Sequence, residues 1–254
     1  MPEHAAQPEL PPASPTPPPQ VLITGFPGFI ARRLLGQLML AQDDAPSATP
    51  GAPQRWALLV LDRMVAAAEA SLAELDALYP GLKARCEVIV GDITEPDLGL
   101  APEQHARLTA HVRRVWHLAA LYNLAVEEPL AYRVNVSGTR HVLQFCEDCA
   151  HMERLLYIST CYVSGTRQGL IREVELDEGQ GFKNHYESTK FWAEIAVRRS
   201  AVPHVIFRPS IVVGDSVTGA TDKYDGPYTI IRFLARLPEN VPTPHLGTGQ
   251  APVN

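Results

Sequence analysis

Short, almost wholly apolar runs recur along this chain, separated by longer stretches in which apolar residues return every third or fourth position. The short runs are Val21 to Thr24, Trp56 to Leu61, Cys86 to Val90, Arg114 to Leu118, Leu155 to Ile158 and Val205 to Phe207. A strand wetted on one face alternates apolar and polar residues, so runs without alternation point to strands covered on both faces. Between them lie Ile30 to Ala41, Val65 to Leu78, Pro102 to Val112, Leu130 to Cys149 and Tyr186 to Arg199, each with helical spacing. Alternation of buried strands with amphipathic helices predicts an α/β fold: right-handed crossovers and a doubly wound parallel sheet.

The two ends break this rhythm. Residues 1–19, crowded with Pro8, Pro11, Pro12, Pro15, Pro17, Pro18 and Pro19, cannot bury enough apolar surface to offset chain entropy and are expected to form a disordered tail. Gln42 to Gln54 and Gly165 to Asn184 read as loop insertions. After Gly214 the chain becomes Gly/Thr/Asp/Pro-rich around one short helix, Tyr228 to Leu237. The expected division is therefore a tail at 1–19, a nucleotide-binding domain at 20–215, and at 216–254 the start of a substrate region that is not completed.

Composition narrows the function classes. With 254 residues, 46% hydrophobic and 20% charged, the chain can build one sizeable core. Its formal charge of −6, without clustered Arg or Lys interleaved with aromatics, excludes a nucleic-acid partner. No run is long or apolar enough for a transmembrane segment. The N-terminus lacks the basic region and apolar core of a signal peptide. Of the four cysteines, only Cys146 and Cys149 are closely spaced, and without a second Cys or Cys/His pair they read as packing residues rather than a metal site. A cytoplasmic, reducing setting is expected.

Gly25-Phe-Pro-Gly28-Phe-Ile-Ala31 follows the first strand and opens a helix. In that context a glycine turn lets backbone approach a diphosphate held at the helix N-terminus. Pro27 has no N–H to offer, so cradling falls to neighbours such as Phe29 and Ile30. The second strand ends in Asp62-Arg63: an acid there suits the ribose hydroxyls of NAD, a base the 2′-phosphate of NADP, and both residues are also ordinary strand-end charges. Asp92, in Gly91-Asp92-Ile93-Thr94, is either an acceptor for the adenine amino group or a helix N-cap. Tyr186 and Lys190, four apart on a helix, share a face, and an ammonium beside a phenol favours the phenolate. In isolation this spacing is an ordinary stretch of helix surface. Here it lies downstream of both the glycine turn and Ser159-Thr160-Cys161-Tyr162-Val163-Ser164-Gly165.

With these segments, His117-Leu118-Ala119-Ala120, Asn135-Val136-Ser137-Gly138-Thr139 and Arg208-Pro209-Ser210-Ile211-Val212-Val213-Gly214 fall in an order, over about residues 20–216, that resembles an extended short-chain dehydrogenase/reductase. Ser-Thr-x-x-Val-Ser-Gly, the Asn184 to Glu187 context and Lys223 to Tyr228 are most similar to its fatty acyl-CoA reductase, male sterility and thioester reductase branch. The resemblance implies a Rossmann-type fold with an incomplete C-terminal substrate lobe. It implies NAD(P)(H) bound by Thr24, Gly25, Pro27, Gly28, Phe29, Ile30, Asp62, Arg63, Asp92, Ile93, Ala119, Ala120 and Pro209, with Tyr186 and Lys190 at the nicotinamide end. Tyr186 would be the general acid/base, Lys190 would hold the ribose and depress the tyrosine pKa, Thr160 would bond the substrate oxygen, and Asn135 would support the site unless it is a helix-interior or capping residue. His117 reads as a packed strand-end residue rather than a catalyst, and His185 as facing either pocket or solvent.

The activity so implied is reduction of an acyl thioester, coenzyme A-bound or carrier-bound, or of its aldehyde, with NAD versus NADP left open. Two other readings share these residues: a nucleotide-sugar epimerase/dehydratase or hydroxysteroid-type dehydrogenase, and a cofactor-binding sensor or inactive fragment.

Overall fold

The computed structural model describes residues 17–41, 53–122, 125–222, 224, 226–238 and 241; most of the predicted tail and of the first insertion lies outside them. Six strands form at the six apolar runs: β1 Val21–Thr24, β2 Trp56–Val60, β3 Cys86–Val90, β4 Arg114–His117, β5 Arg154–Ile158 and β6 His204–Phe207. Among the described residues they make one parallel sheet in the order β3-β2-β1-β4-β5-β6. The helices are α1 Phe29–Leu40, α2 Val65–Leu78, α3 Leu82–Arg85, α4 Pro102–Thr109, α5 Glu128–Tyr132, α6 Gly138–Asp148, α7 His185–Arg199 and α8 Pro227–Leu234.

Successive residues of each strand point to opposite faces, and the core divides accordingly. Val21, Ile23, Trp56, Leu58 and Val60 pack with Ala31 and Leu35 of α1 and Ala68, Leu72 and Leu75 of α2. Leu22, Ala57, Leu59, Val115, Leu155 and Tyr157 pack on the other face with Leu108 of α4, Val142 and Phe145 of α6, and Ala193 and Val197 of α7. The strand order reverses between β1 and β4, and in such sheets a crevice opens there beyond the strand C-termini. That crevice holds the site.

One predicted element differs in kind. Leu130 to Cys149, read as a single helix, is α5, a π turn at Arg133–Ser137, and α6. The widened turn carries Asn135 inward, where its Oδ1 accepts from the Leu121 N–H (2.8 Å) and its Nδ2 donates to the Thr189 hydroxyl (3.0 Å). Hydrophobic period alone does not register one extra residue in a turn, and such turns are frequent at functional sites.

Candidate active site

The cofactor half is built by backbone. β1 delivers Thr24 and then Gly25, whose φ of +89° and whose approach to β4 both demand glycine: a Cβ there would lie 2.7 Å from the Ala119 nitrogen. The Gly28 N–H closes the turn on the Gly25 carbonyl (2.9 Å), and the Phe26–Pro27 peptide is cis. α1 then begins at Phe29 with Gly28 as N-cap, no side-chain cap and no acidic residue in its first turn. The amides of its first turn have no partner within the helix, and the helix dipole makes this end an anion site.

A cleft of about 860 Å³ runs along the C-terminal edge of the sheet. It passes from Arg63, Asp92 and Ile93, across Thr24, Gly25, Pro27, Gly28, Phe29 and Ile30, under Ala119 and Ala120, to Thr160, Tyr186, Lys190 and Pro209. Asp62 is not among the lining residues. It is exposed and opens the short 3-10 turn Asp62–Met64, whose Arg63 and Met64 do line the cleft. Asp92 lines the cleft, and its Oδ1 accepts the Thr94 N–H (2.8 Å) within a turn rather than at a helix N-cap.

The reactive half sits on α7. Its start is fixed by Asn184, whose Oδ1 caps the Glu187 N–H (3.0 Å), and by Glu187, whose carboxylate accepts the Lys183 N–H (3.0 Å). Tyr186 and Lys190 share one buried face, and Glu194 stands one turn further on. Glu194 is fully buried and binds the Ser159 hydroxyl (2.6 Å), Arg198 (3.0 Å) and Arg208 (2.7 Å), tying α7 to the ends of β5 and β6. The Tyr186 phenol hydrogen-bonds Thr160, and the Tyr122 ring meets it edge-on at 5.0 Å. Burial pushes the phenol up to about 12, with the Thr160 bond pulling in the opposite direction.

Lys190 is held by partners on β5. Its Nζ donates to the Tyr157 hydroxyl (2.8 Å) and the Ile158 carbonyl (2.8 Å). Its pKa is drawn down to about 7 by burial, with Glu194 opposing. The anticipated depression of the Tyr186 pKa is not found: burial raises the phenol, and the influence opposing it is Thr160.

Asn135 lies outside the cleft lining and braces the Leu121 segment against Thr189 of α7. His117 is a packed residue, as read: it accepts or donates between Thr24 (2.8 Å) and Thr139 (3.0 Å), and burial, then Lys190, hold its pKa down to about 3. His185 is exposed at the first position of α7. Tyr157, Glu194 and Tyr122 went unread. Only Glu194 left a signal, the Tyr186-Lys190-Glu194 spacing of i, i+4, i+8.

Sheet order, glycine turn and cleft together define a dinucleotide-binding protein of the extended short-chain dehydrogenase/reductase class. Within that class the family described as male sterility protein matches residues 23–245, and the chain belongs to it. The fatty acyl-CoA reductase wat of Drosophila melanogaster is 28% identical over 190 residues, 63% of this chain and 37% of that protein. A linear gramicidin synthase of Brevibacillus parabrevis is 27% identical over 214 residues, 80% of this chain but 4% of that protein. The terminal R domain of the myxalamid PKS-NRPS pathway superposes with a TM-score of 0.72 at 28% identity, over 86% of this chain and 55% of that one. A UDP-glucuronic acid 4-epimerase from Bacillus cereus, in complex with NAD, shares the fold at 21% identity (TM-score 0.55). The chain thus spans about a third to a half of several of these relatives' lengths. Among the described residues no helix is long and apolar enough to cross a membrane.

Proposed function

We propose that the protein is an NAD(P)H-dependent reductase of acyl thioesters, coenzyme A-bound or carrier-bound, or of the corresponding aldehydes. The observation that carries this reading is the continuity of one cleft, from the glycine turn and the start of α1 to Thr160, Tyr186 and Lys190. A cleft near 860 Å³ is of ligand size, and the turn fits a diphosphate because Gly25 and Gly28 keep its backbone clear of side chains. The first-turn amides of α1 would hold the diphosphate, and Lys190 the ribose of the nicotinamide. When bound, the cofactor supplies a hydride.

The protein's part is to hold the carbonyl and move a proton. A phenol held near 12 is protonated at neutral pH, the state from which Tyr186 donates its proton to the carbonyl oxygen of a substrate being reduced. The Thr160 hydroxyl, bonded to that phenol, lies where it can share the developing negative charge. With a thioester the resulting hemithioacetal collapses to aldehyde and thiol. Arg63 at the far end of the cleft, with Asp62 turned away, favours a 2′-phosphate, so NADPH should bind more tightly than NADH and Arg63→Ala should erase the difference. Equal affinities in the wild type would refute that preference. The four cysteines are free thiols, which suits a cytoplasmic protein.

The reading is tested by following reduced-nicotinamide absorbance with an acyl-CoA, an acyl-pantetheine, an aldehyde and a UDP-sugar. Consumption with the thioesters or the aldehyde is expected. Turnover of the UDP-sugar alone would favour the epimerase/dehydratase reading, and binding without turnover of any would favour a sensor.

A further inference from the structure

Behind the cleft, on the buried side of the sheet, hydrogen bonds run from Thr139 through His117 to Thr24 at the glycine turn, and Tyr157 and Lys190 lie at the Thr139 end. The Thr139 hydroxyl donates to the Asn135 carbonyl (2.7 Å), so its oxygen accepts from its other neighbours. His117 Nε2 (3.0 Å) therefore carries the hydrogen, and Nδ1 receives the hydroxyl of Thr24 (2.8 Å). The Thr24 oxygen in turn takes the Ala119 N–H (3.2 Å). The Tyr157 phenol lies beside Thr139 as well. Its oxygen accepts from Lys190 Nζ (2.8 Å), which also sits 4.4 Å above the Tyr157 ring.

An ammonium has three N–H groups. Two of those on Lys190 are committed, to the Tyr157 hydroxyl and the Ile158 carbonyl, and the residue lines the cleft, which leaves one N–H for a ligand there. Resting on the reductase reading above, we propose that Tyr157 is a positioning residue for the reaction: it fixes the Lys190 ammonium beside the nicotinamide ribose site and keeps it charged in a dry environment. Neither the cleft nor the sequence motif contains Tyr157, and it acts only through Lys190.

The groups facing Lys190 leave it the one that titrates near neutrality. From β4, His117 is held down to about 3. From β5, the buried Tyr157 phenol is held far above its ordinary value. On α7, Tyr186 is held at about 12, and Glu194 is ion-paired with Arg198 and Arg208. Removing the Tyr157 oxygen withdraws one acceptor from a buried ammonium, which disfavours the charged form.

The test is calorimetric titration of NADPH and NADH into the whole protein from pH 6 to 9, for wild type, Tyr157→Phe and Lys190→Arg. Wild-type affinity should fall as Lys190 loses its proton. In Tyr157→Phe that fall should begin roughly one pH unit lower, making affinity up to about tenfold weaker on the limb. Lys190→Arg should abolish the limb, because a guanidinium stays protonated. A folded Tyr157→Phe with the wild-type profile overturns the proposal. Should that variant not fold, Tyr157→Met, which also removes the hydroxyl and fills the site with a flexible apolar chain, should move the limb in the same direction, and an unmoved limb there overturns it equally. A wild type that binds neither nucleotide would instead sink the reductase reading itself.

Discussion

Replacing Glu194 by Gln tests what holds the reactive helix against the sheet. Glu194 has no exposed surface, and its two carboxylate oxygens accept from Ser159 (2.6 Å), Arg198 (3.0 Å) and Arg208 (2.7, 3.1 and 3.2 Å). The side chain of Arg208 is itself only 9% exposed. Glutamine keeps the volume but removes the charge, turns one acceptor into a donor, and leaves two guanidinium groups uncompensated. Breaking one side of a buried pair costs about 3–5 kcal/mol, against a total stability of about 5–15 kcal/mol. The variant should therefore fold, with its urea midpoint lowered by about 1 M or more at an unchanged slope. Glu74→Gln supplies the contrast, because the Arg32–Glu74 pair (2.7 Å) lies on the surface with Glu74 63% exposed. That change should cost no more than about 1 kcal/mol. A Glu194→Gln midpoint shift no larger than that of Glu74→Gln would refute a buried ion-pair role for Glu194.

Gly25→Ala should weaken dinucleotide binding at least tenfold and lower stability by about 2–4 kcal/mol, since it adds left-handed strain to a contact with the Ala119 backbone that cannot yield; unchanged calorimetric affinity would refute the assignment of this turn. Lys190→Met should raise the melting temperature in a pH-dependent way. The folded pKa of Lys190, about 7, lies below its ordinary 10.5, so its burial penalty is full below pH 7 and fades as pH rises toward 10. The variant's advantage should accordingly be largest at pH 6 and smallest at pH 10, and a constant advantage would contradict the assignment.

Much of this architecture was legible because strands covered on both faces must be apolar throughout, and all six runs became strands. The glycine turn was legible too, since its two glycines answer to contacts made within the turn and with the neighbouring strand. What stayed hidden depends on contacts between distant segments. Tyr157 reads as one more apolar strand residue until Thr139 and Lys190 meet its hydroxyl. Glu194 reads as a polar helix position, because its partners Ser159 and Arg208 follow two separate strands. That Arg63 lines the cleft and its neighbour Asp62 does not was equally hidden, because both belong to a three-residue 3-10 turn with no sequence signature. The order of influences on Tyr186 was likewise invisible, because desolvation is a property of the assembled core rather than of the Tyr-x-x-x-Lys spacing.

The central claim, that Tyr186 passes a proton to a carbonyl beside a bound dinucleotide, is tested most directly by Tyr186→Phe. The measurement is NADPH oxidation with an acyl-CoA, paired with calorimetric NADPH binding in the same preparation. Phenylalanine keeps the buried ring and its edge contact with Tyr122 while deleting the transferable proton and the bond to Thr160. The account predicts turnover reduced by about 10²–10⁴-fold with cofactor affinity within about twofold of wild type. Near-normal turnover in a folded Tyr186→Phe would contradict it.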